Sequence, residues 1–147
     1  ESLPLGVARI KQLFLTSSPP SMESVDKLKN KIQSQLDAHF YKYKHMGLSA
    51  IGTSGTVKGA FNILVNSQSE SSFYTEDLKT LNLRMLKMTS TELMTIRGME
   101  KKRIDLILGG TLFLQYWADF FSIECICYSD IALKDGLLDK VISEFKS

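Results

Sequence analysis

The stretch Gly52-Thr53-Ser54-Gly55-Thr56 constrains this chain more than any other, because it joins a strand-like run to a helix-like run. The residues before it, 48–52, predict a short buried strand, and those after it, 57–65, predict a helix. A strand that turns at once into a helix belongs to an α/β layer arrangement, in which the helix packs back on the sheet its strand joins. Glycine lets a backbone come close to an anion, and a helix start offers unpaired N–H groups in a favourable dipole. The hydroxyls of Thr53, Ser54 and Thr56 add donors suited to phosphate oxygens. This is not a Walker loop, since the Lys-Ser/Thr ending is absent and the glycine spacing is wrong. The same residues also make a tight strand-to-helix turn that binds nothing, and spacing alone leaves both readings open.

The rest of the chain is organised around helices. Residues 22–46 carry the clearest periodicity: Val25, Leu28, Ile32, Leu36 and Phe40 recur at three and four, with Ser21 as N-cap and Gly47 as a left-handed stop. Lysines 27, 29, 31, 42 and 44 share that segment with Glu23, Asp26 and Asp37, which makes a solvated face rather than a nucleic-acid footprint. Residues 2–9 read as the end of a strand, Pro4 favouring an edge, and 10–15 as a short helical turn. A polar, serine-rich loop is expected over 66–72. Further helices are expected from Thr75 (as a cap) to about Leu86, from Thr89 to near Gly98, and from Arg103 to about Phe121. A strand over 123–128, a turn over 129–133 and an amphipathic helix over 137–145 complete the chain. Gly109-Gly110 interrupts the long apolar helix and calls for the close approach of another backbone or, less commonly, of a ligand.

Bulk properties exclude several classes. With 147 residues the chain fits one domain, and 44% hydrophobic with 23% charged residues is ordinary for a globular protein. A net charge of +2 is too small to argue for nucleic acid or a membrane surface, and the apolar run 106–121 is too short and polar to span a bilayer. The two cysteines, Cys125 and Cys127, fall on one face of a strand, where they read as small buried hydrophobes. Reduced thiols fit a cytoplasmic location. His39 and His45 lie six apart, off the spacing that pairs ligands on a helix. Phe40, Tyr41, Tyr43 and Trp117 read as core and core-edge aromatics. Opening at Glu1 on strand-like residues, with no initiator Met or signal segment, suggests a cut chain.

Four separated segments resemble one family in order. Ser2-Leu3-Pro4-Leu5-Gly6-Val7-Ala8-Arg9 resembles the Ser-Leu-Pro-Leu-Gly-x-x-Arg stretch of bacterial exopolyphosphatases and guanosine pentaphosphate phosphatases. Gly52-Thr53-Ser54-Gly55-Thr56 is similar to that family's Gly-x-Ser/Gly-Gly-Thr turn. Arg103-Ile104-Asp105 with Gly109 resembles its Arg-Ala-Asp-hydrophobic-Gly segment, and Ala132-Leu133-Lys134-Asp135-Gly136-Leu137 its C-terminal Leu-Arg-Glu-Gly-Leu run. Lys134-Asp135 keeps the signs of the family's Arg-Glu but not the bidentate guanidinium, and Gly109-Gly110 exceeds the usual small-residue pattern; both leave the fine substrate preference open.

The resemblance implies an α/β, ribonuclease-H-like (actin-like ATPase) domain, most of the second of two such domains, with part of its sheet lying before Glu1. It implies hydrolysis of polyphosphate or guanosine pentaphosphate with Mg2+, whose ligands are not in this chain. A glutamate of the first domain serves as base, so this chain holds no catalytic residue and by itself is inactive. Phosphate contact falls to Gly52, Thr53, Ser54, Gly55 and Thr56, with electrostatic support from Arg103 and, more weakly, Lys134. The implied partners are the first domain and a second copy in a homodimer, not nucleic acid or membrane. Two rivals remain: a non-catalytic module binding a phosphorylated ligand or partner, and a sugar or acetate kinase piece, which the Arg103 and Lys134 segments fit less well.

Overall fold

The computed structural model describes residues 5–130. The expected Pro4 edge, the 131–133 part of the turn, Lys134 and the 137–145 helix therefore lie outside the described residues. Residues 7–9, expected to close a strand, are instead the first turn of helix α1 (Val7–Phe14). Helical spacing is what points Ile10 inward: it is 1% exposed and lies against Gly109.

Helix α2 (Met22–Phe40) is capped as expected, with Ser21 Oγ accepting from the Ser24 N–H at 3.2 Å. Its stripe Val25, Leu28, Ile32 and Leu36 is buried. The helix stops at Phe40 rather than 46, continuing as one 3-10 turn (Tyr41–Tyr43) in which Tyr41 is exposed rather than core-edge. The next residues leave the helical path to satisfy a neighbour's orphaned carbonyls. His45 N–H donates to Phe120 O at 2.9 Å, and Gly47 N–H to Phe121 O at 3.0 Å. Gly47 does take a left-handed φ of 64°, but in this connection and not as the cap of α2.

Three strands form one sheet in the order β1-β3-β2, with β1 (Ala50–Gly52) parallel and β2 (Ser72–Tyr74) antiparallel to β3 (Cys125–Tyr128). The register aligns Ala50, Ile126 and Phe73 in one inward row, all buried. The alternate residues face away, which corrects two expectations. Among the described residues strand β1 lies at the edge of the sheet, with Ile51 75% exposed rather than buried. Cys125 is half-buried and Cys127 exposed, so the pair shares the outer face instead of the core. Strand β2 was hidden in a serine-rich stretch because three residues with one inward side chain carry no alternation to detect.

Helices complete the layers: α3 (Gly55–Leu64) starts two residues earlier than expected, followed by α4 (Thr75–Met85), α5 (Ser90–Leu93) and α6 (Ile104–Phe121). Thr75 is not the cap of α4; its hydroxyl donates instead to Ile123 O at 2.9 Å, tying α4 to the entry of β3. Thr89 and Glu92 close a capping box on α5. The hub is α6, which packs on α1, α2, α3 and α4 and ends at Ser122 with φ 54°. No helix among the described residues is long and apolar enough to cross a membrane.

Candidate phosphate-binding site

The turn after β1 is built by glycines that let large neighbours in. A Cβ on Gly52 would lie 2.7 Å from Val57 Cγ1, so the strand can fold back on its own helix only without one. Ser54 is the N-cap of α3: its hydroxyl accepts from the Val57 N–H at 3.3 Å, and its carbonyl from the Lys58 N–H at 3.0 Å. The N–H groups of Gly55 and Thr56, as in any first turn, have no acceptor within the helix. Thr53 and Ser54 are exposed beside them. The turn is pinned to the end of β3 by the Ser129 N–H, which donates to Gly52 O at 3.0 Å.

Arg103 comes to this turn from the other side of the chain. Its guanidinium covers Gly55, where an added Cβ would stand 2.9 Å from Nη2 and closer still to Nη1. Its Cδ passes over Gly59, at 3.7 Å from the position of a Cβ there. Gly55 and Gly59 are one helical turn apart, so together they make a furrow on α3 in which the arginine lies. Glu100 fixes the near end: its Oε2 accepts from Arg103 Nε at 3.2 Å, while Oε1 accepts from Asn62 Nδ2 at 3.3 Å. Arg103 thus pairs with Glu100 and not with Asp105, which pairs with Lys11 at 2.8 Å. The structure brings Arg103 and the 52–56 turn together, as one site would require.

The six sequence-derived residues do not all face one way. The space above Gly55 belongs to Arg103 and is not open for an anion to enter. Thr56 turns toward α6, where a Cβ on Gly110 would meet its Cγ2 at 2.7 Å and its Oγ1 at 3.0 Å. This is the close neighbour that the second glycine of the pair required; Gly109 makes room for Ile10 and Leu15. Both glycines admit side chains, not a backbone. Glu100 and Lys58 were missed by sequence reasoning. The signal for Lys58 was its place three residues after Gly55 on the same helix.

Electrostatically the start of α3 is the positive end of the helix dipole, and the guanidinium beside it is paired with Glu100. Its first turn contains no acidic residue, while a guanidinium lies on its first glycine. Cations are normally placed at the other end of a helix. Among the described residues no group of three or more His, Cys, Asp or Glu side chains is placed to hold a metal ion.

The sequence matches the Ppx/GppA phosphatase family over residues 1–145. The chain belongs to that family. It is 25% identical over 145 residues to exopolyphosphatase 1 of Mycobacterium leprae, covering 93% of this chain and 43% of the relative. It spans less than half the length of the curated relatives it matches. Its fold is that of the Aquifex aeolicus Ppx/GppA family member, with a TM-score of 0.80 at 22% identity over 98% of this chain and 49% of that one. An exopolyphosphatase from Cytophaga hutchinsonii aligns with a TM-score of 0.75 at 20% identity, again over 98% of this chain and 49% of its own. The fold is thus the actin-like ATPase, ribonuclease-H-like fold of Ppx/GppA phosphatases.

The clamp on Arg103 carries a pH signature. Burial is the largest single influence on Glu100 and opposes its ionisation, but hydrogen bonds from Arg103 and Lys102 together hold its carboxyl below the ordinary 4.5. A lowered folded value means stability that is complete above the unfolded value and is lost as pH falls through the folded one. The melting temperature of Glu100→Gln should therefore lie below that of the wild type at pH 7, with the gap closing as pH drops under about 4.5. A gap that is the same at pH 7 and pH 3 would mean that the carboxylate charge does not hold Arg103.

Proposed function

We propose that this chain is the phosphate-binding half of a phosphoanhydride hydrolase acting on inorganic polyphosphate or guanosine pentaphosphate, and forms most of the second actin-like domain of a longer cytoplasmic protein. The observation that carries this reading is the guanidinium of Arg103 seated on the first glycine of α3, against the unpaired end of the helix. Two positive features in contact are explained if an anion with several oxygens bridges them. In the reaction, the oxygen of a water molecule bonds to the terminal phosphorus as the bridging P–O bond breaks. The bridging oxygen leaves with the shortened chain, and the water's proton passes to a base. The base is a glutamate outside this chain, and magnesium accompanies the phosphates on ligands outside the described residues. What these residues contribute is position and charge: Arg103, with the N–H groups of Gly55 and Thr56, holds chain oxygens while negative charge develops.

Titration of the full-length protein with tripolyphosphate tests this. Arg103→Met should weaken binding by about tenfold or more, the loss of a hydrogen bond to a charged group. Arg103→Lys should restore only part of it, because an ammonium lacks the planar fork. Wild-type affinity in Arg103→Met would sink the reading. Phosphate release separates hydrolase from binding module. The 147-residue chain alone should give none above background, since a general base is typically worth ~10²–10⁴-fold. The full-length protein should turn over, and binding without turnover in that protein would favour the non-catalytic module.

A further inference from the structure

We infer that Lys58 is a second contact for the phosphate chain and that Asp130 is a built-in competitor for it, so that the pair sets how many phosphates a ligand must carry; this rests on the site proposed above. Lys58 stands three residues after Gly55, on the first turn and a half of α3. Its Nζ lies 3.4 Å from Asp130 Oδ1, and the Tyr128 hydroxyl donates to the same carboxylate oxygen. Tyr128 is in turn held by Phe61 of α3, ring centroids 5.0 Å apart. The residue between, Ser129, is the one whose N–H is bonded to Gly52 O. Asp130 is therefore anchored to the phosphate turn through the backbone of its neighbour Ser129 and presented to Lys58 by a tyrosine.

The chemistry follows from exposure and charge. Asp130 is 78% and Lys58 45% exposed, so their pairing is a weak surface ion pair that a better anion can open. A carboxylate carries one charge, and a single phosphate gains little by replacing it. A chain of phosphates already held at Arg103 brings its next group to Lys58 at high effective concentration and displaces Asp130. The hydrogen bond from Tyr128 is the leading cause of the lowered Asp130 carboxyl, and a carboxylate is the charged form near neutral pH in any case. The Lys58 ammonium is shifted upward by Tyr128 first and Asp130 second.

The test uses the full-length protein and two probes, tripolyphosphate and orthophosphate. Lys58→Met should weaken tripolyphosphate by about tenfold, the loss of one charge-assisted hydrogen bond, and change orthophosphate binding little. Asp130→Asn should tighten tripolyphosphate by about twofold to fivefold, the range of an exposed ion pair. That gain should vanish when Lys58→Met is already present. Wild-type affinity in Lys58→Met, or an Asp130→Asn gain of equal size with and without Lys58, would overturn the inference; the second result would mean general charge repulsion and not a shared lysine. Loss of binding in Arg103→Met together with an unaffected Lys58→Met would leave the site standing and remove only this inference. Melting curves of both exposed-residue variants serve as the folding control.

Discussion

Gly55→Val should cost the full-length protein about 10²-fold in tripolyphosphate affinity, the loss of two hydrogen bonds to charged groups, while moving its melting temperature little. A side chain here enters the place now held by the Arg103 guanidinium, and it screens the first N–H groups of α3 as well. The stability cost is small because what must move is the free end of a long, flexible side chain and not a backbone. Adding Arg103→Met to Gly55→Val should cost little more, since both changes remove the same guanidinium from the same place. Thr56→Ala is the contrasting control. The Thr56 side chain fills the space above Gly110, so its loss should appear in the melting temperature before it appears in binding. Affinity that falls only in step with unfolding across these variants would make the turn a purely structural feature.

Gly98→Ala should destabilise the protein by roughly 2–5 kcal/mol, the sum of a left-handed backbone penalty and overpacking. Gly98 has φ +83°, a region L side chains rarely adopt. A Cβ there would run into the carbonyl of Asn62, standing 2.7 Å from its carbon and 3.1 Å from Ile63 Cα. Every one of those atoms is backbone of the last turns of α3, so no rotamer change can absorb the methyl group. Asn62 also holds Glu100, which holds Arg103, so the displacement would reach the phosphate end of the helix. Urea unfolding of Gly98→Ala measures the loss; a change under about 1 kcal/mol would mean the turn yields more easily than its packing implies.

What the sequence made legible was local. The stripe from Val25 to Leu36, the cap at Ser21, the Thr89–Glu92 box and the strand–turn–helix at 50–64 each carry their signal within a few residues. The resemblance of ordered segments then gave the family, which no single segment could. What stayed hidden depended on distant partners. The end of α2 at Phe40 is set by the carbonyls of Phe120 and Phe121. The outward turn of Cys125 and Cys127 is set by the register that points Ile126 inward. The candidate site was half legible: the strand-to-helix turn at 52–56 and Arg103 were both singled out from the sequence. Their contact through the furrow of Gly55 and Gly59, and the reassignment of Thr56 to packing, depend on how α3 crosses the start of α6. Spacing along the chain carries no information about that crossing.

The pairing of β1 with β3 joins Ala50 to Ile126, and so places about half of the chain inside one loop. Closing such a loop costs entropy before the contact returns anything, whereas the neighbouring helices α3 and α4, or α5 and α6, meet across short connections. Assembly should therefore run from helical pairs toward the sheet, with the parallel strand pair among the last features to form. The hydrogen bond from Ser129 to Gly52 exists only once those strands are side by side. The turn that this bond pins should therefore take its final shape late on the folding route. An anion that binds the finished turn should slow unfolding and leave the folding rate unchanged.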